Sequence, residues 1–544
     1  MSVAFGAWLD AFFDAYFRQR PVNATFTGVH AFDDRLPDLS EIGQADNAAE
    51  SAALLTRLRA LPDEPLNTGE QLDRQLAEGF LEIAAWEATS AQYAWGNPSS
   101  FTGEAVFGVL SLLLRPFAPL SERLELASAR LAAIPRLLDD GRAVVHDAPA
   151  AWSLRARREC GGAQVLLDSG LARLMQDSGI QPIGFEQAAE AARAAFGRFD
   201  AFVETELLPK AANNYACGTE TLDMLLRRAH FLDGGAEELE RLALERLAEE
   251  EAAIAAGQSR AAESSIGAAS RADQSRGAAA AELPYLERFG VLWSAARDLA
   301  ERQDLLTFPD WPVRYVEQPM WVREAASSFY FLPYRAPAPF DTTPVVDYFV
   351  PVTADDSTIK LNHVVHHGSL GHHVQNWHAA RASSRIGQVA AVDCASRIAM
   401  LCGGTLAEGW ACYATDLADE AGFLTPAESF AQHSARLRMA ARALVDIRLH
   451  QGRLTLDEAA DVYAERVGMP APAALAEAVK NSLFPGAACM YLAGWDGIWR
   501  LRRQSGGMPR RVFHDRLLAL GSVPVALASQ ILRQPDPAAV LVNQ

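Results

Sequence analysis

The chain has 544 residues, half of them apolar and 22% charged, and a formal net charge of −19. This is the composition of a soluble globular protein that can bury a large core, with room for roughly two to four domains. The acidic balance argues against nucleic acid or an anionic membrane surface as partner, both of which need a basic footprint. No apolar run approaches the roughly 20 residues that span a bilayer.

The opening segment places Phe5, Trp8, Leu9, Phe12, Phe13, Tyr16 and Phe17 on one face of a helix over residues 4–19. Asp10 and Asp14 interrupt its apolar character, and it carries no basic leader, so it does not read as a secretory signal. Pro21 is expected to end this helix, and VNATFTGVHAFDDRLPDLS reads as a polar loop. Helical periodicity resumes from Glu41 to about Ala94, broken at Pro62 and Pro65, and residues 104–140 read as two apolar helices split by Pro116 and Pro119. Residues 150–210 continue the pattern, with turns near Gly179 to Gly184. The stretch 213–233 combines a glycine turn with a helix. A long amphipathic helix is expected over 236–256. Its glutamates alternate with arginine at helical spacing and read as a solvated face.

Residues 257–281 are rich in Ser, Ala and Gly without an apolar stripe, and read as an exposed connection. It divides an N-terminal helical lobe, 1–256, from a second lobe, 282–544, although the two can form one continuous unit. Residues 284–305 are again helical. Residues 307–361 are rich in proline, aromatic and β-branched residues and read as short strands and ordered loops. Segments 388–402, 405–421, 426–451, 455–467 and 471–483 have helical periodicity, and 484–502 places a turn before another helix. The predicted fold class is mainly α, with a cleft and a small β/loop insertion. The six cysteines are scattered without a CxxC motif, which points to a reduced, cytoplasmic protein.

Six of the twelve histidines fall in NHVVHHGSLGHHVQNWH, residues 362–378. Imidazole clusters serve to bind metals or to move protons. His363 and His367 have the i, i+4 spacing of one helix face. His366 and His373 lie two turns apart, about 10 Å on a straight helix, and can share a metal only if Gly368 and Gly371 interrupt it. A metal here also needs a carboxylate or thiolate. Glu408, followed one turn later by Cys412 and flanked by Gly409, Trp410 and Tyr413, is the best candidate. Tyr491 in PGAACMY can supply a hydrogen bond to a developing oxyanion. Asp446 and His450, one turn apart, can form an outer carboxylate–imidazole pair or an ordinary helix pair.

At these positions the chain resembles the bacterial family catalogued as domain of unknown function 885, whose members look like largely helical metallopeptidases of the glutamate-zincin type. The family pattern, approximately HEGxPGHHxQ, EGWALYAE, DxGLH and PGQAxxY, is matched in order by HHGSLGHHVQ (366–375), EGWACYAT (408–415), DIRLH (446–450) and PGAACMY (485–491). The resemblance implies His366, one of His372 and His373 (His372 favoured) and Glu408 as metal ligands, with Tyr491 as oxyanion donor. The general-base glutamate of the pattern is His367 here, its proline is Leu370, the second glutamate of EGWALYAE is Thr415, and the glutamine of PGQ is Ala487. General-base catalysis supplies roughly 10² to 10⁴ in rate, so replacing that glutamate points to altered acid–base chemistry. The expected activity is divalent-metal-dependent hydrolysis of a small amide, ester or peptide-like substrate, with His367 as acid/base or extra ligand. Zinc is the expected metal. Two histidines and a carboxylate also suit Fe(II) in lyase or oxygenase chemistry. The competing reading is a catalytically inactive relative that binds a ligand or a protein.

Overall fold

In the computed structural model, residues 2–264, 283–329, 340, 346–390, 393–394, 397–398 and 401–533 are described. Helices dominate, and the reason is visible in their ends as much as in their periodicity. Ser2 caps Val3–Gln19 by accepting from the Phe5 amide, and the seven aromatic and leucine side chains expected on one face are all buried. Asn67, Thr425 and Thr455 each form a capping box with a glutamate three residues on, fixing the starts of Thr68–Glu87, Pro426–His450 and Leu456–Val467.

Three expectations are corrected. Pro21 does not open a loop. It sits in the first turn of a second helix, Pro21–Thr27, where a missing N–H costs nothing. The polar side chains of this segment are buried because Arg130, wholly buried on Leu120–Val144, reaches into it. Its guanidinium donates to the carbonyls of Arg35, Gly108, Pro21 and Phe32 and to the hydroxyls of Ser111 and Thr25. The amphipathic helix runs Gly235–Ser264 rather than stopping at 256, since the added residues are mostly good helix formers with no proline. The rest of the expected connection, 265–281, lies outside the described residues. Residues 388–402 are not one helix. A short helix Arg385–Val389 gives way to a two-residue antiparallel ladder, Asp393–Cys394 with Arg397–Ile398, where low-propensity Val, Asp and Cys follow one another.

Of the β-rich region, the strands Val313–Glu317 and Val346–Val350 pair in parallel, with Tyr315 opposite Tyr348. They pack with Phe289, Ile359 and Val364 in a small apolar cluster of their own. The main core is continuous from Phe5 to Ala528, and includes residues on both sides of the 257–281 segment, such as Leu247 and Val445. Gly235–Ser264 packs along Pro426–His450, and Gly404–Glu420 along Cys489–Gln504. The last pair crosses very closely. A Cβ on Gly409 would fall 2.4 Å from the Gly494 backbone, and one on Gly494 would fall 1.8 Å from the Thr405 carbonyl oxygen. Only glycine allows this approach. It sets Glu408 and Tyr491 on neighbouring helices. No described helix is long and apolar enough to cross a membrane.

Candidate metal centre

The strand Val346–Val350 leads through an Asp355 cap into a wide π-helical segment, Ile359–Gly368. Its hydrogen bonds skip five residues, so the α-helical spacing used to pair His363 with His367 does not apply. His363 instead faces Tyr348, with Nδ1 2.6 Å from the phenol oxygen. The segment stops at Gly368. Trp293 Nε1 donates to the Gly368 carbonyl and Trp410 Nε1 to the Leu370 carbonyl, which pins the turn from two sides. A new helix, His372–Ala379, then begins. The turn is tight: a Cβ on Gly371 would fall 1.9 Å from the His366 carbonyl oxygen, and one on Gly368 would fall 2.1 Å from the Tyr315 hydroxyl. This reversal brings the two halves of HHGSLGHH face to face.

The side chains of His366, His367 and His372 converge there. Their potential ligand atoms lie within 4.8 Å of one another. Glu408 Oε2 lies 3.5 Å from His372 Nε2 and 3.8 Å from His366 Nε2. His367 donates from Nδ1 to the Asn362 carbonyl at 2.7 Å, which leaves Nε2 as the lone-pair nitrogen. His366 makes a backbone hydrogen bond to Ala411. Contacts of this kind fix the orientation and tautomer of an imidazole, as they do in metal sites. All four side chains retain partial exposure, so the cluster is within reach of solvent rather than sealed in the core.

The electrostatics suit a cation. Burial pushes the His366 imidazole down to about 3, with the neighbouring His372 adding to the effect. Burial and the two adjacent imidazoles hold His367 well below the ordinary histidine value. For Glu408 burial alone would favour the acid form, but the charge and hydrogen bond of His372, with His366 and His367, outweigh it and hold the carboxyl at about 2. At neutral pH the cluster therefore offers the uncharged imidazoles of His366 and His367 beside the Glu408 carboxylate, donor types that suit a divalent transition metal.

The other singled-out residues fall elsewhere. His373 is fully buried, donates from Nε2 to the Trp311 carbonyl at 3.0 Å, and packs between Trp293 and Phe308. Its ring is committed to tying the helix to the 307–319 loop, which leaves His372 as the converging member of the pair. His378 contacts the Thr307 carbonyl. Asp446 accepts from the amides of Gly486 and Cys489, both at 3.0 Å, and so clamps the turn that leads into the Tyr491 helix. His450 places its two ring nitrogens at the carbonyls of Tyr215 and Asn481, with Asp446 3.4 Å away. The pair is a structural fastening of that turn. Tyr491 lies on Cys489–Gln504 with the Arg442 guanidinium over its ring at 5.0 Å. Asn362 and Arg442 carried no signal in the sequence. Asn362 acts through its carbonyl, which every residue has, and Arg442 looked like one charge on a long polar helix.

The family model for bacterial proteins of unknown function DUF885 matches residues 21–532. No curated protein matches the chain. Among solved structures, "a putative lipoprotein of unknown function" from Shewanella oneidensis superposes with a TM-score of 0.76 at 18% identity, covering 98% of this chain and 100% of that one. A second, "the putative lipoprotein from Colwellia psychrerythraea", gives 0.71 at 14% identity, covering 99% and 100%. At these identities the likeness is one of fold. With the family model spanning nearly its whole length, the chain belongs to DUF885, a family of bacterial proteins of unknown function.

Proposed function

We propose that the protein is a divalent-metal-dependent hydrolase on a metallopeptidase-like scaffold, acting on a small amide, ester or peptide-like substrate. The observation that carries this reading is the convergence of His366, His367 and His372 with Glu408, which lies more than 30 residues further along the chain. His366, His372 and Glu408 form the ligand set, and zinc suits it best; Fe(II) is the alternative ion for the same donors. A bound zinc ion supplies Lewis acidity and lowers the pKa of water toward neutrality. His367 stands where the family pattern has its general base. Its Nδ1–H is fixed on Asn362, so Nε2 can take a proton or act as an additional ligand. Tyr491, held by the Arg442 stack, is assigned to hydrogen-bond the developing oxyanion.

The five cysteines whose side chains are described, Cys160, Cys217, Cys402, Cys412 and Cys489, are free thiols, which supports a reducing, cytoplasmic location. The two similar folds are called lipoproteins, so fractionation of the native host is the direct measurement of location.

The deciding experiment is elemental mass spectrometry of protein purified without a histidine tag, beside Glu408→Ala. About one zinc or iron per chain, lost in the variant, is the expected result, and the identity of the metal separates hydrolysis from redox chemistry. Absence of stoichiometric metal, even after adding candidate ions back, would favour the catalytically inactive binding protein.

A further inference from the structure

The helix Cys489–Gln504 carries Tyr491 on one face and borders a cavity with another. Arg500 lies nine residues beyond Tyr491, which is half a turn round a regular helix. Ala493, Gly497, Arg500 and Gln504 follow one another at helical spacing and line a cavity of about 340 Å³. Residues 231–242 form a second wall, and the helix Val525–Leu532 a third. The histidine cluster and Glu408 take no part in this lining.

The cavity has an apolar floor and a charged rim. Leu239, Leu501 and Val525 are buried, while Asp233, Glu238, Arg500 and Arg533 are exposed. The rim charges are not balanced within the chain. Arg500 is paired with Asp496 at 2.5 Å. Arg533 meets a neutral partner, donating to the Gln504 side-chain oxygen at 3.0 Å. Asp233 and Glu238 form no ion pair among the described residues. The N-terminus of Gly235–Ser264 lies beside both carboxylates, but its roughly half a unit of positive charge leaves most of their negative charge uncancelled.

One wall also carries backbone strain. Phe231 lines the cavity with a φ of 56°, in the left-handed region. It follows the helix Thr219–Ala229, where the Leu232 amide donates back to the Leu226 carbonyl, a position that glycine usually fills. Among the described residues, the other two non-glycine residues with positive φ are aspartates, which tolerate it better. A phenylalanine at this position places an aromatic side chain in the cavity wall, and strained residues gather at ligand sites.

We infer that this cavity is a second binding site, for an apolar zwitterion of dipeptide size. An apolar cavity of about 150 Å³ holds benzene, so one twice as large takes two branched side chains. The apolar body covers Leu239, Leu501 and Val525. The free carboxylate reaches Arg533, whose planar fork matches it in two parallel hydrogen bonds. The free amine reaches Asp233 and Glu238. Opposite charges on separate walls suit a molecule charged at its two ends, which a single amino acid is not. The site stands independently of the reading of the histidine cluster.

The test uses L-leucyl-L-leucine, its N-acetyl derivative and its C-terminal amide. Each is titrated calorimetrically into the full-length protein as purified, and again after chelation to exclude heat from turnover. The dipeptide is expected to saturate at or below millimolar concentration in both states. The rim is open to water, so blocking either terminus should weaken binding by about fivefold, the upper range for an exposed ion pair. Arg533→Gln should remove the preference for the free carboxylate. The double variant Asp233→Asn, Glu238→Gln should remove the preference for the free amine. Ala526→Trp, which fills the cavity, should abolish binding, and the rim variants, at exposed positions, keep the test valid if that chain fails to fold. The inference is overturned if the dipeptide does not saturate, if the blocked forms bind as well, if the rim variants leave the preferences intact, if folded Ala526→Trp still binds, or if binding disappears on chelation.

Discussion

Two buried polar hubs in this molecule are built from similar materials and finished differently. Around Arg130, one guanidinium is saturated by four carbonyls and two hydroxyls, with Asp33 3.8 Å away, and nothing is left over. Burial lowers the Arg130 pKa only to about 10, so it stays charged. Around Glu408, one long hydrogen bond from His372 at 3.5 Å is joined by His366 Nε2 at 3.8 Å, so the donors and acceptors are not saturated by one another. The first hub is closed and serves the fold. The second is partly exposed and its donors are not saturated by one another. Saturation, rather than burial or residue type, separates structure from site.

Breaking the open hub should produce the largest effect. His366→Ala is expected to reduce metal affinity by more than the 10- to 100-fold that loss of an outer contact costs. The metal-free chain should lose much less stability than the closed hub does, because only one hydrogen bond, to the Ala411 backbone, goes with the imidazole; competition with a chelating dye and a urea titration report the two quantities. The closed hub should behave in the opposite way. Arg130→Met removes the buried cation facing Asp33 and leaves several carbonyls without their donor, and about 3–5 kcal/mol of stability should be lost, seen as a lower denaturation midpoint with full metal content.

A subtler effect comes from the histidines that resemble the first hub. His230 and His514 sit against the Gly486 and Leu305 carbonyls, and burial holds both at about 4, below the ordinary 6.5. His373 is held at about 4 by the same cause. Between pH 6.5 and 4 the unfolded chain binds protons that the folded chain refuses. Their contribution is therefore complete above pH 6.5 and is lost as pH falls toward 4. Unfolding midpoints across that window should decline, and replacing His514 with Gln should flatten the decline.

These residues also show why a sequence reads one hub better than the other. The histidine density, Glu408, Tyr491 and the glycine pairs were legible because rare residues at set spacings are conspicuous. The Arg130 hub was not, because its partners are mostly carbonyls and the segment it anchors, 21–40, is polar and so resembled a loop. Arg442, over the Tyr491 ring, was hidden as one charge on a helix with many.

The sequence by itself determined the helices, through apolar periodicity and caps such as Asn67 and Thr425, and it determined which chemistry the cluster can perform, because imidazole and carboxylate are fixed by residue identity. Tertiary structure decided which histidines take part. Six lie within 17 residues, yet the wide turn of Ile359–Gly368 sends His363 to Tyr348. The reversal at Gly368 to Gly371 turns His372 toward His366 while His373, one residue on, points to Trp311. Helical spacing is a local rule that assumes one pitch and an unbroken axis. Here the pitch changes and the axis breaks, and both follow from contacts with Tyr315, Trp293 and Trp410 that lie far away along the chain.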